Sequence, residues 1–83
     1  MNELMIYGSA WCGYTQRALR QMESLGVSYQ YIDVDENPDA EALIASWNNG
    51  RAIRPTFDIG GAHFINPAPG EIEEVLRKRG LLK

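Results

Sequence analysis

Two hydrophobic rhythms alternate along this chain, and their order constrains the fold more than any other feature. Residues 3–7, ELMIY, form a short apolar run that stops at Gly8 and reads as a buried strand. Ala18, Leu19, Met22 and Leu25 then recur at spacings of three, four and seven. That one-sided pattern predicts a helix over 12–25, with Gly26 as the residue that ends it. In VSYQYIDV, Val27, Tyr29 and Tyr31 alternate with Ser28 and Gln30, and the segment reads as a second strand. Asn37 and Pro38 have the chemistry of an N-cap and a first helical residue. The apolar face of that helix is Ala40, Leu43, Ile44 and Trp47, and NNG at 48–50 closes it. PTFDI at 55–59 is a third strand, Gly60-Gly61 a hairpin turn, and AHFI at 62–65 the antiparallel return. Pro69 opens a last helix with Glu71, Glu73 and Glu74 near its positive end and Lys78 and Arg79 near its negative end. Ile72, Val75 and Leu76 face inward.

The resulting order is βαβαββα. Strands joined through a helix should lie parallel with a right-handed crossover, and the hairpin adds an antiparallel pair. The expectation is an α/β domain over residues 1–83: one mixed four-stranded sheet flanked by helices. A chain of this length makes one small domain, and 45% apolar residues supply its core.

The net charge of −3 and the scattered Lys and Arg residues leave no basic stripe for nucleic acid; Arg51 and Arg54 are two charges only. No run approaches the roughly 20 apolar residues of a membrane span. MNELMIYG has no basic n-region and too short an apolar run for a signal peptide. The single cysteine excludes an internal disulfide, which points to a reducing, cytoplasmic location. His63 has no Cys/His cluster around it in the sequence, so no zinc site is expected.

That cysteine, Cys12, falls just past the first strand and at the first turn of the first helix. In open α/β sheets functional sites lie beyond the carboxyl ends of the strands. At a helix N-terminus the free N–H groups and the macrodipole favour an anion, so the thiol should be more acidic than the usual value of about 8.5. A lone free cysteine is ordinarily a small buried hydrophobe. Its place on a strand-to-helix loop argues for chemistry instead.

These residues resemble a known family. WCGYTQRAL is similar to the active-site segment of glutaredoxins and glutaredoxin-like redoxins, whose motif is C-x-x-C or C-x-x-S. IRPTFDIGG resembles their T-V-P segment, strand and glycine pair, and NPAPGEIEEVL the start of their last helix. The resemblance implies a minimal thioredoxin fold. It implies that Pro55 is cis and faces Cys12, and that the backbone before it aligns substrate as an added strand. It makes Cys12 the catalytic nucleophile and puts Trp11, Gly13, Tyr14, Arg54, Pro55, Gly60 and Gly61 at the substrate. Arg54 stands where the family usually has valine and is a candidate partner for a carboxylate or the thiolate. Asn66-Pro67 stands near the place of an acidic residue that often grips the amino end of glutathione.

Thr15 occupies the resolving position, which closes a dithiol route within the chain. A monothiol cycle remains, in which Cys12 attacks mixed disulfides between proteins and a low-molecular-weight thiol such as glutathione. No permanently bound cofactor is expected, and the protein should be a monomer. The Thr15 hydroxyl, one helical turn from Cys12, is a candidate donor to the thiolate. Two other functions compete. CGYT is conservative with the C-G-F-S motif of monothiol glutaredoxins, which resemble iron–sulfur cluster carriers, although this chain lacks their preceding lysine and insert and their Trp-Pro pair. A non-catalytic binding module using the Pro55 groove is the other.

Overall fold

The computed structural model describes residues 3–82. Its elements are β1 (Leu4–Gly8), α1 (Gly13–Leu25), β2 (Gln30–Asp33), α2 (Pro38–Ser46), β3 (Thr56–Ile59), β4 (Ala62–Ile65) and α3 (Pro69–Lys78). The expected βαβαββα order is therefore present. The strands form one mixed sheet in the order β2-β1-β3-β4. β1 runs parallel to β2 and antiparallel to β3, and β3 pairs antiparallel with β4.

Side-chain alternation along the strands divides the core between the sheet's two faces. Leu4, Ile6, Phe57 and Ile59 bury one face against Ala18 and Met22 of α1 and Ile72 and Leu76 of α3. Tyr7 and Val34 bury the other against Ala40 and Ile44 of α2. Fully removing one such aliphatic side chain from water stabilises the fold by roughly 1.5–3 kcal/mol.

The helix ends follow the expected chemistry. Gly26 closes α1 in the left-handed region at φ 71°. Asn37 caps α2, its Oδ1 accepting from the Ala40 N–H at 3.2 Å. At the start of α3 the Ala68 N–H donates to Glu71. Glu73 and Glu74 instead pair one turn on with Arg77 and Lys78.

Three expectations need correction. β2 starts at Gln30, not at Val27. The Val27 N–H is taken by the Met22 carbonyl at the end of α1, so this residue completes the helix cap rather than a sheet ladder. Leu43 is 42% exposed, and only Ala40 and Ile44 of the proposed face are buried in α2. Trp47 lies one residue past α2, where its ring meets Tyr7 edge-on at 5.6 Å and stacks on His63 at 3.6 Å. It packs against the smaller core cluster as expected.

Candidate active site around the Cys12 thiol

Because β1 and β2 are parallel, the loops that follow them emerge at the same end of the sheet. β3 runs the other way, so the loop preceding it, with Arg54 and Pro55, comes to that end too. Cys12 is the N-cap of α1, with extended backbone at φ −82° and ψ 121°. Its N–H donates to the Ser9 carbonyl at 3.0 Å. The thiol is half-buried. The Arg54–Pro55 peptide bond is cis, as the resemblance implies, and the Arg54 carbonyl oxygen is 3.9 Å from Cys12 Sγ.

Burial pushes the Cys12 thiol up, but it is outweighed. The Thr15 backbone N–H, the Thr15 hydroxyl, the Tyr14 backbone N–H and the Arg54 charge together hold the thiol below its ordinary value. All four favour the thiolate, the species that attacks a disulfide.

Thr15 is fully buried against β1. A Cβ on Gly8 would come within 2.5 Å of the Thr15 Cγ2, so glycine at position 8 is what lets the helix settle this close. The Thr15 Oγ1 accepts from the Ser9 N–H at 3.4 Å. That leaves the hydroxyl proton for the sulfur.

Trp11 and Tyr14 flank the thiol and are 71% and 55% exposed. The indole Nε1 of Trp11 donates to Asp35 Oδ2 at 2.7 Å, and the Arg17 guanidinium lies 5.1 Å from the Tyr14 ring centre. Gly13 opens α1, with nothing within 4 Å of where a Cβ would stand. Arg54 Nε donates to Ser9 Oγ at 2.8 Å and Nη1 to the Ala52 carbonyl at 2.7 Å. Its Nη2 pairs with Asp35 at 3.4 Å and with Glu41. The carboxylate partner that the sequence allowed for Arg54 thus belongs to this same chain.

Gly60 and Gly61 are not brought to the thiol. They form the β3–β4 turn, both with positive φ, and the Gly60 N–H donates to the Glu3 carbonyl at the opposite end of the sheet. The loop that does reach the site from this hairpin is at its other end. There Asn66, at φ 42°, donates its N–H to the Pro55 carbonyl at 2.8 Å. It serves the proline loop in place of the acidic grip.

Ser9, Asp35 and Glu41 were not among the expected site residues. For Asp35 a signal existed: it follows β2, at the carboxyl end of a strand parallel to β1. Among the described residues no group of three or more His, Cys, Asp or Glu side chains could hold a metal ion. No helix among them is long and apolar enough to cross a membrane.

A thioredoxin fold carrying one activated thiol at the first helix, with a cis-proline beside it, defines the redoxin class. The family model for glutaredoxin matches residues 4–64. Mycoredoxin 1 of Corynebacterium glutamicum is 34% identical over 73 residues, covering 87% of this chain and 90% of that protein. A glutaredoxin from Archaeoglobus fulgidus superposes with a TM-score of 0.81 at 23% identity, covering 93% of this chain and 88% of that one. Buckwheat glutaredoxin, solved in complex with glutathione, does so with a TM-score of 0.70 at 29% identity, covering 96% and 73%. The chain belongs to the glutaredoxin family, and its activity is that of a thiol–disulfide oxidoreductase.

Proposed function

We propose that the protein reduces mixed disulfides between proteins and a low-molecular-weight thiol by a monothiol cycle. Glutathione and mycothiol are the candidate thiols. The observation that carries this reading is the half-buried Cys12 sulfur at the start of α1, lowered in pKa by Thr15, Tyr14 and Arg54, in a chain with no second cysteine.

The Cys12 thiolate attacks the small-thiol sulfur of the mixed disulfide. A bond forms between Cys12 and the small thiol, the original S–S bond breaks, and the protein thiolate leaves and takes a proton from water. A second small thiolate then attacks the small-thiol sulfur held on Cys12. It releases the Cys12 thiolate and the symmetric small-thiol disulfide, so the incoming small thiolate is the reductant and one is consumed for each protein thiol freed. The Thr15 hydroxyl and the two backbone N–H groups stabilise Cys12 as attacker and as leaving group alike. The Arg54 carbonyl and Pro55 line the groove for substrate backbone, and Trp11, Gly13 and Tyr14 form its open rim. A monomer in a reducing, cytoplasmic location suits this chemistry.

A peptide carrying one glutathionylated cysteine, with glutathione and a coupled reductase present, tests the reading. The wild-type protein should release the peptide thiol catalytically and Cys12→Ser should not. Equal rates for the two proteins would refute it.

A further inference from the structure

Arg54 is the best-connected side chain at the site, and every contact it makes is internal. Four hydrogen bonds, two of them also ion pairs, tie it to Ser9, Ala52, Asp35 and Glu41. The guanidinium is a rigid fork suited to a carboxylate. Left free beside Cys12, it would clamp a carboxylate on whatever thiol is bonded to that sulfur. Here both carboxylates come from the protein itself. Their side chains are also the more exposed members of the set, 38% for Asp35 and 47% for Glu41 against 17% for Arg54. The cation lies beneath, and the surface that an incoming group meets is acidic.

We infer that Glu41 and Asp35 are specificity-determining residues of the exchange reaction: by occupying Arg54 they disfavour small thiols that carry carboxylates. The inference rests on the monothiol cycle proposed above. The two residues act through Arg54 and through their own field, not on the reacting sulfur. Asp35 also receives the Trp11 indole N–H, so the same carboxylate orients the exposed ring at the rim.

The test compares one peptide in two mixed disulfides, with glutathione and with glutathione diethyl ester. The tripeptide is the same, and only the ester lacks free carboxylates. The readout is the ratio of kcat/KM for the ester to kcat/KM for glutathione. Wild type should favour the ester. Glu41→Gln should narrow that preference by about two- to fivefold, the scale of one partly exposed ion pair. Asp35→Asn combined with Glu41→Gln should narrow it further, and Glu41→Asp, which keeps the charge, should stay near wild type. The wild-type protein gives a check that needs no variant: raising ionic strength should narrow its ratio. A ratio that neither substitution nor salt moves would overturn the inference while leaving the cycle intact. No exchange with either disulfide in the wild type would overturn the cycle, and the inference with it.

Discussion

Thr15→Val removes one hydroxyl and keeps the shape of the side chain, so it isolates what that group does for Cys12. A hydrogen bond to a charged partner is worth about 1.5–3 kcal/mol. Cys12 is half-buried, so water replaces part of the lost bond, and the thiol should become less acidic by the remainder. The measurement is the rate of alkylation by iodoacetamide against pH. The midpoint should move up in Thr15→Val and stay near wild type in Thr15→Ser, which keeps the donor. The valine also leaves the Ser9 N–H without its acceptor, at a cost in stability of about 1–3 kcal/mol, so circular dichroism must show the variant folded at the assay temperature. A folded Thr15→Val protein with the wild-type midpoint would refute the donor role and leave the backbone N–H groups and Arg54 as the activating set.

Gly8→Ala forces a Cβ to within 2.5 Å of Thr15, and urea denaturation should show a loss of about 1–3 kcal/mol. The same change should raise the alkylation midpoint, because it displaces the hydroxyl. Asn37→Ala deletes the cap of α2 and should cost about 1 kcal/mol in the same denaturation, with the thiol unaffected. The Cys12 thiol is lowered in the folded state, so its ionisation favours folding. That contribution is full above the ordinary thiol value of about 8.5 and is lost as pH falls through the folded value. The stability difference between wild type and Cys12→Ala should therefore grow as pH rises through this window and level off above it. A difference independent of pH would contradict the lowered thiol.

The element order was legible because each element had its own periodicity and its own punctuation. Gly26, Asn37-Pro38, Gly60-Gly61 and Pro69 all stand where their local chemistry put them. Cys12 was legible for the same reason: a residue between a strand and a helix has few places to be. What failed depended on three-dimensional competition. Val27 alternates like a strand residue, yet its N–H closes a helix, and only the fold decides between two acceptors. Leu43 has helical spacing with Ala40 and Trp47, yet a nine-residue helix on one side of a small sheet has a narrow buried stripe. The glycine pair was put at the substrate on resemblance alone, and the antiparallel direction of β3 carries it to the far end. Arg54 could be singled out as unusual, but its carboxylate partners lie 13 and 19 residues away, a distance that no local pattern encodes.

The sulfur of Cys12 and the Arg54 carbonyl that faces it are 42 residues apart in the chain. Their meeting, like the docking of Thr15 on Gly8, exists only in the folded protein. A buried cysteine is normally shielded by folding and becomes reactive on unfolding. In this chain the order is inverted near neutral pH: the folded state holds more thiolate, and the unfolded chain returns to ordinary acidity. Alkylation should slow on denaturation, which makes the one native thiol a built-in clock for how much of the population is folded.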